Sequence, residues 1–339
     1  MITEKENFLR DEDIWALSIT VTGRCNCNCS YCHFYARHKK QAFNDISDTL
    51  FNQYIKVIKE IKSHYHANLQ VRFSGGEPLI LGDRMFELAS RLYEQTGIDI
   101  YVLSNGLLIN EDVIRKSKAN HIKAFLVSIE NPFDVSSGAP DPDSVLDIIK
   151  RYDSVDVRVL PAIMVIRNNH FKDMPQIADY VYQRIGCLPS FAEINYQGLE
   201  RITANQLQEF QSAIYQIASK YLHKTPIKIF PYLSPELYIP GVRNYLTELD
   251  MENTIACGSN ENVIENLYNK LLHSYRKNPC TDSSCEWYED CQIIKWLWLD
   301  EFKGNALTSE DRHAIFCSLR KALNESLYQA IMDKERTGA

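Results

Sequence analysis

Six short runs rich in β-branched and aromatic residues alternate with six amphipathic runs up to about residue 222, and no other feature of the sequence restricts the fold as strongly. The strand-like runs are Ala16–Thr22, Leu69–Ser74, Ile98–Ser104, Ala124–Glu130, Val155–Met164 and Phe191–Tyr196. Helical runs fit Leu50–Lys62, Met85–Thr96, Glu111–Ala119, Ser144–Tyr152, Met174–Ile185 and Thr203–Leu222. The first of these puts Leu50, Ile55, Val57, Ile58 and Ile61 largely on one face, and the second ends at Gly97, which suits a left-handed C-cap. Right-handed crossovers between successive strands then give a curved parallel sheet, short of the eight strands that close a full barrel. The expectation is an α/β fold: a TIM-like partial (β/α)6 barrel over residues 14–230, an N-terminal extension over 1–13 and a small C-terminal domain over 231–339. That boundary follows the end of the alternation, where Pro226, Pro231, Pro235 and Pro240 punctuate the chain before a helical run from Asn262 to Lys277.

Composition narrows the function classes. With 45% hydrophobic and 24% charged residues, and no uninterrupted apolar stretch of bilayer length, a membrane span is not expected. A net charge of −7 gives no overall attraction to a phosphate backbone, so nucleic acid is not an expected partner. Residues Met1 to Asp13 are charged and lack the apolar core of a secretory signal, which points to the cytoplasm and to reduced thiols. In that compartment ten cysteines call for metal or cluster ligation sooner than for disulfides. Four fall within Cys25–Cys32 and four follow at Cys280, Cys285, Cys291 and Cys317, so two metal centres are expected. Cys187 and Cys257 stand apart, and Cys187, at the end of a helical run, reads as a core residue.

Directly after the first strand, Cys25, Cys29 and Cys32 form a C-x3-C-x2-C set. Three thiolates on one tight loop can hold three irons of a cubane and leave the fourth open to a small chelating molecule. Zinc is the competing ligand, although a second C-x2-C or a His pair at zinc-finger spacing is missing nearby. The pattern resembles the radical S-adenosylmethionine (SAM) superfamily. That resemblance implies a [4Fe–4S] cluster on Cys25, Cys29 and Cys32, SAM on the open iron, and reductive cleavage of SAM to a 5′-deoxyadenosyl radical that takes hydrogen from a substrate. It also implies that Tyr31 is the aromatic residue before the third cysteine and that His33 and Phe34 pass near the adenine. Cys27 has no place in the pattern.

Later strand ends carry further pieces of the same resemblance. Gly75-Gly76-Glu77-Pro78, after the second strand, is similar to the element that binds the SAM amino group; taken singly, a Gly-Gly pair is a turn. Ser104-Asn105-Gly106 is similar to a Thr-Asn-Gly at the third strand, or is simply an Asn-Gly turn. Ser128 and Glu130, at the fourth, match positions that relatives use for the SAM ribose and carboxylate. The stretch after Glu130, Asn131 to Asp143, lacks the His-Asp and Arg residues that many peptide-modifying relatives carry.

Cys280, Cys285, Cys291 and the distant Cys317 resemble the auxiliary-cluster region of the SPASM and twitch subfamilies, with a wider first gap and Lys295 where a fourth cysteine would stand. The resemblance implies a small SPASM/twitch-like iron–sulfur domain with a second [4Fe–4S] cluster; a structural zinc site and buried free thiols are the alternatives. A helix over Leu307–Ala330, started by Ser309, would bring Cys317 back to the other three. The subfamily favours a peptide or protein substrate, with flavodoxin or ferredoxin as reductant. A small-metabolite dehydrogenase or rearrangement enzyme is the second reading, and a zinc-stabilised binding protein the non-enzymatic one. Only about a dozen residues precede the first strand, so no separate N-terminal peptide-recognition domain is expected.

Overall fold

The computed structural model describes residues 14–30, 32, 45–65, 68–135, 138–166, 171–189, 191–193, 203–221, 224, 247–249 and 309–337. The expected helical run over 262–277 and Cys257, Cys280, Cys285 and Cys291 lie outside these residues, as do Tyr31, His33 and Phe34.

The alternation seen in the sequence becomes a sheet with helices between successive strands. Strands β1 (Ile14–Thr22), β2 (Asn68–Gly75), β3 (Ile100–Ser104), β4 (Ile122–Ile129), β5 (Arg158–Ile166) and β6 (Phe191–Glu193) pair in parallel, each with the next. Between them run α1 (Asp48–Tyr65), α2 (Asp83–Thr96), α3 (Glu111–Ala119), α4 (Pro142–Tyr152) and α5 (Met174–Ile185), with α6 (Ala204–Tyr221) after β6. A seventh strand, β7 (Thr247–Leu249), joins the free edge of β1 in parallel, so a piece of the expected C-terminal segment extends the sheet. The strand order is β6-β5-β4-β3-β2-β1-β7, and among the described residues its two edges are not joined, which leaves the barrel open.

Strand periodicity sorts the two faces. Val71 and Phe73 of β2, Val102 of β3 and Phe125 and Val127 of β4 are fully buried in one apolar cluster with Phe51 and Ile55 of α1 and Met85 and Leu88 of α2. Phe51 meets Phe73 edge-on at 6.0 Å, which identifies this as the helix-facing side. Each such buried side chain stabilises the fold by about 2 kcal/mol. Alternation turns their neighbours to the concave face: Ser18 and Thr20, Arg72 and Ser74, Tyr101, and Ser128. Register sets Ser18 beside Arg72 and Arg72 beside Tyr101. The concave face is therefore mixed, with Leu103 and Leu126 beside these polar side chains.

Several boundaries move from their expected places for local reasons. Strand β5 starts at Arg158 and not Val155, because Ser154 and Val157 close a turn through backbone and hydroxyl hydrogen bonds and Asp153 caps the amide of Val159. Strand β3 starts two residues late because Gly97 takes the left-handed cap of α2 (φ 67°) and the Ile98 amide donates to the Thr96 hydroxyl. The last helix, α7 (Ser309–Thr337), starts at Ser309 and packs Ala322, Leu323, Leu327 and Ala330 into the core. It lies against α6, where Gln211 donates to Glu325 at 3.2 Å and Tyr215 to Asp333 at 2.9 Å. No described helix is long and apolar enough to cross a membrane.

Candidate active site

The cysteine loop, the Gly75–Glu77 turn and the Ser104–Asn105 turn meet at the C-terminal ends of the strands, where a parallel barrel places its functional loops. The loop leaving β1 is braced on one side by Asp45, which accepts from the Thr22 hydroxyl at 2.7 Å and from both ends of the Arg24 guanidinium at 3.0 and 2.7 Å. Partial burial opposes ionisation of Asp45, yet the Arg24 and Thr22 hydrogen bonds outweigh it and hold the carboxyl below its usual range. On the other side the Gly75–Glu77 turn is stitched directly to the same loop. Gly76 N donates to the Thr22 carbonyl at 2.9 Å, and Glu77 N to the Arg24 carbonyl at 2.8 Å. A Cβ on Gly75 (φ 128°) would lie 2.0 Å from the Thr22 oxygen, and one on Gly76 would lie 2.1 Å from the Arg24 oxygen. The paired glycines are thus required by the approach of two backbones.

Glu77 ties a third strand into this arrangement. Its side chain is fully buried and accepts from Leu79 N at 3.1 Å and the Ser104 hydroxyl at 3.0 Å through Oε1, and from Asn105 N at 2.7 Å through Oε2. It also caps the short 3-10 turn Pro78–Leu81. Burial pushes its pKa up to about 7 against the pull of those three donors. Asn105 completes the link: its Nδ2 donates to Asn26 Oδ1 at 2.7 Å and lies 3.5 Å from Cys27 Sγ. A fourth strand end reaches the cysteines through Gly138, whose carbonyl accepts from Asn28 N at 3.2 Å and from Cys29 Sγ at 3.7 Å.

Cys25, Cys29 and Cys32 are half-buried and not in disulfides, all on this one loop. Burial raises the pKa of Cys25, the Cys27 amide at 3.4 Å lowers it, and the charges of Glu77 and Cys32 raise it further. Burial also lifts Cys27, to about 11, with Cys25 and Glu77 adding to the rise. Among the described residues no three His, Cys, Asp or Glu side chains converge closely enough to hold a metal ion. The donor set nonetheless fits an iron–sulfur cluster: three soft sulfurs leave the same strand end on a loop anchored from both sides, and bound iron would deprotonate them.

The structure brings together Cys25, Cys29, Cys32, Gly75, Gly76, Glu77, Pro78, Ser104 and Asn105. Ser128 is half-buried on the concave face of β4, and Glu130 follows it, buried, two residues later. Cys187 follows the C-terminal Gly186 cap of α5 and lies near Arg158 at the start of β5, at the opposite end of the strands from Cys25. Cys317 is half-buried on α7. Sequence reasoning missed Asp45 and Gly138, which touch the cysteine loop from the flanks. It also missed the concave row of Ser18, Arg72 and Ser74, in which the buried Ser18 and Ser74 hydroxyls have no hydrogen-bond partner among the described residues.

Residues 19–181 match the model of the radical SAM superfamily. A probable GTP 3′,8-cyclase of Methanocaldococcus jannaschii is 27% identical over 180 residues, covering 52% of this chain and 57% of that protein, so the match spans little over half of the relative's length. The solved structure of native anSMEcpe with bound AdoMet and Cp18Cys peptide superposes with a TM-score of 0.63 at 15% identity, covering 97% of this chain and 100% of that one. Streptococcus suis SuiB bound to the precursor peptide SuiA gives a TM-score of 0.50 at 13% identity, over 86% and 72% of the two chains. With the cysteine loop, its glycine clamp and the open parallel barrel in these positions, residues 19–181 carry a radical SAM domain, and the chain is similar to the enzymes of that superfamily.

Proposed function

We propose that this enzyme modifies a peptide or protein, with a [4Fe–4S] cluster held by Cys25, Cys29 and Cys32 and SAM bound beside it. When bound, the cluster supplies the electron that cleaves SAM, and SAM supplies the 5′-deoxyadenosyl radical that takes hydrogen from the substrate. The chain's own residues do the rest. Asp45, Gly75 and Gly76 hold the cysteine loop at the strand ends. Glu77 and Asn105 fasten that loop to β3, and Pro78 starts the turn that Glu77 caps. Ser128 and Glu130, at the end of β4, offer polar groups to SAM and its ribose, and the resemblance brings the His33–Phe34 segment near its adenine, with Tyr31 as the aromatic residue before the third cysteine. Cys280, Cys285, Cys291 and Cys317 hold a second [4Fe–4S] cluster in a C-terminal domain beginning near residue 231, and flavodoxin or ferredoxin delivers electrons.

The observation that carries the substrate class is the fold likeness to anSMEcpe over nearly the whole of both chains, in a structure that contains a peptide. SuiB, solved with its precursor peptide, supports it. A second reading, a nucleotide or other small molecule, rests on the relatives named GTP 3′,8-cyclase. Anaerobic turnover with SAM and dithionite separates the two. Peptides encoded beside the gene should stimulate 5′-deoxyadenosine formation and change in mass. Stimulation by GTP alone, with a cyclised nucleotide as product, would overturn the peptide reading.

A further inference from the structure

The loop from β4 to α4 is tied down at both ends. At its start Asn131 Oδ1 accepts from Phe133 N at 2.9 Å, and the Phe133 ring packs edge-on against Tyr180 of α5 at 5.6 Å. At its end Asp141 caps α4, accepting from Ser144 N at 2.9 Å and the Ser144 hydroxyl at 2.7 Å, with Pro142 at the first helical position. Between these ties Gly138 crosses to the cysteine loop at φ 76°, and a Cβ there would lie 2.1 Å from the Asn28 carbonyl oxygen. Its own carbonyl engages Asn28 N and faces Cys29 Sγ. This is the stretch in which the His-Asp and Arg of peptide-modifying relatives are missing.

We propose that this loop is a clasp on the cysteine loop, with Gly138 as a positioning residue that holds the backbone at Asn28, next to Cys29, and occupies the Asn28 N–H. The proposal rests on the reading of Cys29 as a cluster ligand. Hydrogen bonds to its sulfurs help set a cluster's reduction potential. By binding the Asn28 amide, Gly138 withholds that donor from the neighbouring sulfurs and keeps the potential low. The clasp couples the end of β4 to the far side of the loop that Gly75 and Gly76 grip from β2.

Gly186 supplies the control, because it has a similar φ of 73° and a Cβ added there would meet nothing within 4 Å. Gly138→Ala and Gly186→Ala share the backbone strain, but only the first meets the cysteine loop. In the full-length apo protein, amide exchange at Asn28 should be about tenfold faster in Gly138→Ala than in wild type and unchanged in Gly186→Ala, as expected for one lost hydrogen bond. In the iron-loaded proteins the cluster's electron paramagnetic resonance spectrum should change and its potential rise in Gly138→Ala alone. If Gly138→Ala fails to fold, Gly138→Asn tolerates the positive φ while keeping the collision, and should show the same changes. Identical exchange and spectra in the Gly138 and Gly186 variants, or an unprotected Asn28 amide in wild type, would overturn the clasp. A wild-type protein that takes up no iron would instead remove the ligand reading, and the exchange result would still report on the contact.

Discussion

Gly76 and Arg24 approach so closely that a Cβ on the glycine would lie 2.1 Å from the arginine's carbonyl oxygen. The Glu77 amide closes the same junction at 2.8 Å. Gly76→Ala must therefore push the cysteine loop away from β2. The expected cost is about 1–3 kcal/mol of stability, the range for overpacking a tight contact, together with poor iron loading. Urea denaturation and iron analysis measure both, and wild-type values for each would show that the two loops do not need this contact.

Cys27 sits among the three proposed ligand cysteines without belonging to their spacing; its side chain lies 3.5 Å from Asn105 Nδ2, and its amide donates to Cys25 Sγ at 3.4 Å. Cys27→Ala should keep iron near the wild-type level, because Asn105 retains its bond to Asn26 Oδ1 at 2.7 Å. Replacing any one of Cys25, Cys29 or Cys32 should sharply lower it. Iron loss in Cys27→Ala equal to that in Cys29→Ala would place Cys27 in the ligand set.

Glu77 makes stability depend on pH in an unusual direction. Its folded pKa, raised by burial to about 7, lies above the ordinary value of 4.5. Below the ordinary value both states are protonated and there is no penalty. Between the two values the unfolded chain releases the proton first, so the folded state loses stability as pH rises, by about 3 kcal/mol in all, and the loss is complete above pH 7. Glu77→Gln removes this dependence while also losing the acceptor for Asn105 N. The stability difference, wild type minus variant, should fall from pH 5 to pH 7 in urea titrations of the apo protein. A difference that stays constant over that interval would show that Glu77 titrates normally. In the loaded protein the same substitution should weaken SAM binding and leave the iron content near normal.

The sheet was legible because buried strands and amphipathic helices announce themselves by period: all six expected strands are present, each with its expected helix following. The cysteine loop and the Gly75–Pro78 turn were legible because their chemistry is concentrated in a few adjacent residues. Strand β7 was not, since Thr247–Leu249 is too short to show a period and pairs with β1 from far along the chain. Gly138 was hidden for a different reason. A glycine between Ser137 and Ala139 reads as a turn, and only the backbone of Asn28 on the opposite side of the rim explains it. Asp45 likewise acts through Arg24, 21 residues away.

The late cysteines give a prediction that needs no knowledge of the substrate. If Cys280, Cys285, Cys291 and Cys317 hold a second cubane, replacing Cys25, Cys29 and Cys32 together by alanine should leave roughly half of the wild-type iron, as two clusters of equal size require. Further replacement of Cys285 and Cys291 should remove the remainder. A triple variant that contains zinc and no iron would make the late cysteines a structural zinc site.

The central claim is that the loop after β1 carries the cluster that cleaves SAM. It is tested most directly by measuring 5′-deoxyadenosine from anaerobically reconstituted protein given SAM and dithionite. Wild-type protein should form it and Cys29→Ala should not, with both proteins folded by circular dichroism. Undiminished 5′-deoxyadenosine from Cys29→Ala would contradict the assignment of Cys25, Cys29 and Cys32 as the cluster ligands.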